Sequence, residues 1–342
     1  MNQSRTIETE IKTEGQIAPR KRWKLFEMRE MTLILILIVL IAVLSVTSKY
    51  FATWANIKVV LGSLSIDGIA VIGMTVILIS GGIDLSVGSV MCLSMTICAM
   101  SILKGVNPWL AAVAAIAGCA LVGLVIGLLV TRIHLTHFIV TLCFLGIARG
   151  IVYALTTGTP ISLVTPLSKE PAFRFLGQGQ IGGVLPMTVL IFLVLAVLAE
   201  IFVRKSSLMR LVFYTGSNEK AAAYSGINVN KVKIMTCVAC SVFAGIAGII
   251  YVNKFSGVPV SAGSGLEMTA IASAVIGGVS MNGGRGSILG AILGLAMMAL
   301  VQDALTLFMV APFWQDLIRY LIVLGAVMID ALQKNAALRK IS

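Results

Sequence analysis

The sequence predicts an all-α polytopic membrane protein with about ten transmembrane helices, some of them short or broken. Three observations carry that reading: the apolar composition, apolar runs of membrane-spanning length, and basic residues gathered in particular loops. Of the 342 residues, 58% are hydrophobic and 12% charged, with a mean hydropathy of +1.01, against roughly 25% charge in a soluble domain. Such a surface needs lipid as its solvent. A transmembrane barrel is disfavoured because its strands alternate polar and apolar residues, whereas here the apolar runs approach the roughly 20 residues that carry a helix across about 30 Å of hydrocarbon.

Taken in order, the spans are 31–48, 57–79, 85–103, 109–130, 138–155, 186–203, 234–252, 267–281, 287–309 and 314–332. The eighth is short for a full crossing. The stretch 75–99 is nearly continuous apolar sequence around a glycine-rich break at Gly81 and Gly82, a pattern tolerated in membranes where backbone lines protein or a cavity. Residues 1–30 read as a cytosolic N-terminal tail, 31–332 as a transmembrane domain and 333–342 as a cytosolic C-terminal tail. Orientation follows from charge. The net charge of +12 comes from seven basic residues between Arg5 and Arg29, six within 204–233, and Lys334, Arg339 and Lys340. With ten spans and an inside N-terminus these clusters, with Arg132 and Arg285, all fall inside, which is the positive-inside pattern rather than a nucleic-acid footprint.

Two loops are long. Residues 156–185 are expected outside and carry Pro160, Pro166 and Pro171. Residues 204–233 are expected inside and contain an apolar patch, Leu208 to Tyr214, and a helix at Asn218 to Tyr224 that Asn218 caps and Gly226 ends,. Its Ala221, Ala222 and Ala223 offer a small smooth surface to a cytosolic partner.

Glycines at four-residue spacing let helices approach closely in lipid, where dispersion replaces the hydrophobic effect. Gly123 with Gly127, and Gly286, Gly290 and Gly294, are expected to make such contacts. Charges inside spans are costly and mark either function or a buried pairing: Asp67, Asp84, Arg149, Glu267, Asp303, Asp316 and Arg319. Asp67 is either a polar anchor in a translocation path or a carboxylate bonded to Ser63, Ser65 or a helix amide. Asp84 can cap the helix that follows, with Ser86 and Ser89 as local partners, and Glu267 carries the same choice between cap and cavity. Arg149 either snorkels outward or neutralises an internal carboxylate such as Asp67. Asp316 and Arg319, three apart on one helix, can pair. Cys92, Cys98, Cys119, Cys143, Cys237 and Cys240 all fall within spans and imply no disulfide framework; Cys237 and Cys240 read as packing. His134 and His137 read as boundary residues rather than metal ligands, and no G-x-x-x-x-G-K-[ST] phosphate loop occurs,.

Three segments carry a family resemblance. GMTVILISGGIDLSVGSVMCLS (73–94), GSNEKAAAYSGINVNKVKI (216–234) and AIASAVIGGVSMNGGRGSILGAILG (270–294) closely resemble, in order, the permease subunits of ribose-type ABC importers. The resemblance implies a type II ABC importer-like permease of the bacterial inner membrane that passes a monosaccharide or closely related polyol, and not an enzyme. It implies a second permease subunit, most simply an identical copy, cytosolic ATPase subunits that bind ATP and Mg, and a periplasmic sugar-binding protein; the chain itself would hold no cofactor. The acidic signature position maps to Asp84, the RG pair to Arg149 and Gly150, and the E-x-x-A-I-A pattern to Glu267, Ala270, Ile271 and Ala272. Gly216, Asn218, Glu219, Ala221, Ala222, Ala223 and Gly226 would touch the ATPase. Path candidates are Asp67, Asp84, Arg149, Asn253, Glu267 and Ser273, with Ser63, Ser65, Thr141 and Thr157 beside them. Asp67 and Thr269 depart from the usual residues of ribose permeases, which leaves the sugar open. The competing class is an ion-coupled secondary transporter in which Asp67 or Asp84 binds a proton or cation.

Overall fold

A computed structural model describes residues 23–338, with side chains over 30–328. It is a helical membrane protein. Its long helices are α1 (Trp23–Thr47), α2 (Trp54–Ile79), α3 (Val87–Leu103), α4 (Pro108–Arg132) and α5 (His137–Thr156). The loop that follows holds β1 (Ile161–Ser162), α6 (Val164–Ser168), α7 (Pro171–Gln178), β2 (Gln180–Ile181) and β3 (Leu185–Pro186). Then come α8 (Met187–Lys205), α9 (Ser207–Ser217), α10 (Glu219–Tyr224), α11 (Val229–Phe255), β4 (Gly257–Val258), α12 (Leu266–Ile276), α13 (Ile288–Leu307) and α14 (Pro312–Leu338). Among the described residues seven helices are long and apolar enough to cross a membrane: α1, α2, α4, α5, α8, α11 and α13.

The ten predicted spans all find helices, several of them changed in extent, the seventh lengthened to Val229–Phe255. α1 starts at Trp23, inside the stretch read as a tail. α3 has 17 residues and α12 only 11, so the eighth span, expected over 267–281, stops at Ile276, where Gly277 and Gly278 open a turn. The last span runs past its expected end to Leu338. Residues 1–22 and 339–342, which include most of the N-terminal basic cluster, Arg339 and Lys340, lie outside the described residues.

Helix starts are set by side-chain caps at polar residues between apolar runs. Thr53, Asn107, Asn218, Asn228 and Ser287 each accept a hydrogen bond from a first-turn amide, satisfying donors that lipid cannot. Pro108 begins α4, where its missing N–H costs nothing,.

The core is built around α2. Every residue from Gly68 to Ile79 is buried, as expected for a helix that is apolar on all sides. α11 packs against α2, α3 and α4, while α12 and α13 pack together and against α2. Backbone approach makes this possible. A Cβ at Gly123 would meet the Cys237 carbonyl, and one at Gly127 the Ile234 Cα, so this glycine pair joins α4 to α11. Gly290 lies on the Gly277 carbonyl and Gly294 on that of Ser273, joining α13 to α12. The expected ladder therefore has two rungs rather than three. Gly286 precedes α13, has φ 155°, and packs against Val279 and Ile79.

The two long loops lie at opposite ends of α11. Residues 157–186 form a strap across its C-terminal end: Gln178 Nε2 donates to the Asn253 carbonyl at 3.1 Å and to Ser256 Oγ at 2.8 Å, and β1 pairs with β4. Phe173 is buried edge-on to Trp109, with ring centroids 5.2 Å apart. At the other end Lys233 Nζ holds Glu219 Oε1 at 2.7 Å. Because a helix rises 1.5 Å per residue, the two attachments at Lys233 and Asn253 are about 30 Å apart.

Candidate functional site

A cavity of about 270 Å³, with several polar side chains set in a mostly apolar wall, opens between α2, α12, α13 and α14. It forms because α2 presents Asn56, Ser63 and Asp67 on the face toward α13 and α14, which answer with Gln302, Asp303 and Arg319. Asn56 Nδ2 donates to Asp303 Oδ2 at 2.8 Å. Arg319 donates from Nη2 to Gln302 Oε1 at 3.3 Å and holds Asp316 at 3.3 Å, so the pair expected at i,i+3 forms. Gln302 in turn donates to Gln315. Asp67 stands inside this ring with Arg319 and Lys254 as the cations acting on it, and among the described residues no protein group is hydrogen-bonded to its carboxylate. Ser65, one alternative partner, donates instead to the Leu61 carbonyl at 2.5 Å.

A second cavity of about 310 Å³ adjoins the first under the strap, lined by Lys58, Gln178, Gln180 and Lys254. Val59 and Ser63 line both. The Lys254 ammonium lies over Gly62, in space that a side chain there would fill.

The other charged candidates do not join Asp67. Arg149 donates to the carbonyls of Val260 and Ala262 at 2.7 and 2.9 Å, so it ties α5 to the loop before α12, neither snorkelling nor neutralising Asp67. Asp84 is fully buried near the opposite end of α2. Its Oδ1 accepts from Ser86 N at 2.8 Å and Ser86 Oγ at 2.6 Å. This turn precedes α3 rather than capping its first-turn amides; the residue at the cap position is Ser86, which makes no side-chain cap bond. Asp84 Oδ2 has no nitrogen or oxygen donor and lies beside the buried Cys240 thiol. Glu267 sits in the first turn of α12, half-buried and against Gly88. Asn253 and Ser273 are buried and turned to their own helices, donating to Ile249 and Thr269 carbonyls. Thr141 donates to the His137 carbonyl at 2.9 Å and faces that of Ile83 at 3.2 Å, beside the Asp84 turn, while Thr157 ends α5. His137 packs on Gly82 and meets Cys237 Sγ at 3.8 Å; among the described residues no cluster of three metal-ligating side chains forms.

The 204–233 segment folds as two helices. α9 carries the apolar patch inward through Met209 and Val212, and α10 starts where Asn218 Oδ1 accepts from Ala221 N at 3.0 Å. Gly226, φ 83°, follows its end. Ala222 is 4% exposed, whereas Ala221, Ala223 and Tyr224 face outward. At the foot of α9, Gly216 rests on the Ile79 carbonyl and the Gly284 amide, and Gly284 N donates to Ile79 O at 2.8 Å. One backbone junction thus joins α9, the end of α2 and the turn before α13.

Sequence reasoning noted Asp303 and Arg319 as costly charges but placed neither in the site, and it missed Asn56 and Gln302. For Gln302, Asp303 and Arg319 the signal was a polar side chain within an apolar span; Asn56, in the first turn of α2, gave none. What it lacked was the pairing of α2 with α13 and α14.

The family described as branched-chain amino acid transport system / permease component matches residues 56–327. The ribose import permease protein RbsC of Escherichia coli (strain K12) is 34% identical over 286 residues, covering 84% of this chain and 88% of that one. RbsC of Bacillus subtilis is 33% identical over the same shares. The autoinducer 2 import system permease protein LsrC of Photorhabdus luminescens is 30% identical over 315 residues, 92% of this chain and 93% of that one. No solved structure matches.

Proposed function

The chain belongs to the branched-chain amino acid transport system permease family, and from that premise we propose that it is the membrane subunit of an ATP-driven importer for a monosaccharide or closely related small polyol. The observation that carries the reading is the extent of likeness to import permeases: ribose permeases match over 84% of the chain, and the family as a whole matches residues 56–327. In this reading two copies of the permease enclose the path in a bacterial inner membrane, with both termini and α9–α10 on the cytosolic side and the strap facing a sugar-binding protein. ATPase subunits with their ATP and Mg seat against α10, whose outward face is small at Ala221 and Ala223.

The permease makes and breaks no bond. Closure of the ATPase pair moves α10 and α9, and through Gly216 the ends of α2 and of the turn before α13. The helices then switch access between the two sides, driven by the difference in partner affinity for the two arrangements and by no more than that difference.

The test is uptake by sealed vesicles that hold the permease with its cognate ATPase and binding protein. D-ribose, D-galactose, myo-inositol and L-leucine are offered with internal ATP, or with an ion gradient alone. ATP-dependent accumulation of one of the polyols is expected. Accumulation that needs the gradient and not ATP gives the chain to the secondary-transporter class, and ATP-driven uptake of leucine alone overturns the substrate class.

A further inference from the structure

We propose that the cavity between α2, α12, α13 and α14 is a binding station for one uncharged polyhydroxyl molecule, held by Asp67, Asp303, Gln302 and Arg319 of a single permease subunit. The proposal deepens the import reading and rests on it for the identity of the cargo.

Uncommitted hydrogen-bonding capacity comes first. Asp67 offers both carboxylate oxygens, since no protein group among the described residues bonds to them. Asp303 uses Oδ2 for Asn56, while Arg319 is shared between Gln302 and Asp316. A guanidinium has five N–H donors, so Arg319 retains donors after both contacts. Acceptors and donors therefore face one space, and hydroxyl groups, each both donor and acceptor, can satisfy both kinds.

Charge then narrows the ligand. Asp67 and Asp303 line the cavity against Arg319, and Lys254 acts on Asp67 from the adjoining cavity. Counted over both cavities, Asp67, Asp303 and the Arg319-bound Asp316 meet Arg319, Lys254 and Lys58, three of each sign, so neither an anion nor a cation finds a surplus of opposite charge. Leu64, Leu295, Met298 and Leu307 supply an apolar wall for C–H groups. The volume of about 270 Å³ falls just under the ~300–1,000 Å³ of pockets for drug-sized ligands, which suits one molecule of monosaccharide size. L-leucine can set its ammonium against Asp67 and its carboxylate against Arg319, but its apolar side chain leaves the remaining capacity of Asp303 and Gln302 without the hydroxyls a polyol supplies,.

The route to the station is also drawn. The cavity under the strap shares Val59 and Ser63 with this one, and Val59, Ser63 and Asp67 follow one another at four-residue spacing along one face of α2,. A molecule entering beneath Gln178 and Gln180 meets the Asp67 carboxylate one and two turns further on.

Val59, 63% exposed at the shared rim, serves as reporter. Five of the six cysteines are buried and Cys143 is exposed, so Val59→Cys is placed on a Cys143→Ser background in the full-length permease in nanodiscs. Its rate of modification by a charged methanethiosulfonate is measured with D-ribose, D-galactose, myo-inositol, L-leucine or choline. A ligand at about ten times its Kd leaves roughly one site in ten free, so one polyol is expected to slow labelling about tenfold. Asp67→Asn and Gln302→Met, each checked for monodisperse folded protein, are expected to restore the unprotected rate. Absence of protection by every polyol, protection by leucine or choline in their place, or protection that survives both substitutions overturns the proposal. ATP-driven uptake is read separately. Polyol uptake without protection rejects this station and spares the import reading, whereas protection without ATP-driven uptake rejects the import reading and spares the station.

Discussion

At Gly123 an added methyl group would meet three atoms of α11: the Cys237 carbonyl oxygen at 2.7 Å, Val238 Cα at 2.8 Å and Ser241 Oγ at 2.8 Å. Two of these belong to backbone and cannot turn away. Gly123→Ala is therefore expected to destabilise the fold by about 1–3 kcal/mol, seen as a lower thermal midpoint in detergent. Gly146 has nothing within 4 Å of its missing side chain, so Gly146→Ala is expected to leave the midpoint unchanged or raise it, helix propensity favouring alanine by about 0.8–1 kcal/mol. A fall of equal size at both positions would remove the packing explanation. Residues of this kind were legible, because four-residue glycine spacing is a local pattern. Arg149 was not. Its partners Val260 and Ala262 lie 111 and 113 residues away, and no local rule connects them. Asp84 stands between: its bond to Ser86 is written in adjacent residues, while its burial beside Cys240 depends on how α11 crosses α2 and α3.

α10 was legible almost to the residue, since Asn218 and Gly226 are strong start and stop signals. Which of its faces looks outward was not, because a run of three alanines has no polar side to orient it. The structure separates them. Ala222 is 4% exposed and Ala223 faces outward, so the same substitution should have two different effects. Ala223→Arg is expected to leave folded yield and thermal midpoint near wild type while reducing co-purification of the ATPase and ATP-driven uptake at least severalfold. Ala222→Arg is expected to lower the yield itself, because it forces a charge into a packed site. Full ATPase retention with Ala223→Arg would move the contact away from α10. The strap was less legible: its prolines marked a constrained loop, but the bonds of Gln178 to Asn253 and Ser256 join segments that no periodicity relates. The same holds for the Asp67 cavity, whose members come from α2, α13 and α14.

For the whole molecule, hydropathy alone placed a helix in each of the ten expected spans, seven of them long and apolar enough to cross among the described residues, since length and composition decide what lipid accepts. Extent failed at α12, where glycines close the helix after 11 residues and neighbouring helices shield what hydrophobicity cannot span. Orientation rests on the basic loops. Lys169 and Asn230 are exposed on the strap and in the first turn of α11, at opposite ends of the bundle, so Lys169→Cys should react with an impermeant maleimide in right-side-out vesicles and Asn230→Cys only in inverted ones. The reverse pattern would invert the topology, and labelling of both from one side would reject it. The junction of Gly216, Ile79 and Gly284 has a mechanical consequence at this scale. Side chains absorb small displacements by changing rotamer, but here main chain bears on main chain, and Gly284 N is bonded to Ile79 O at 2.8 Å. Such a joint has no slack to take up, so a shift of α9 by a fraction of an ångström reaches the ends of two other segments undiminished, as lost motion is removed from a linkage by fitting its bearings metal to metal.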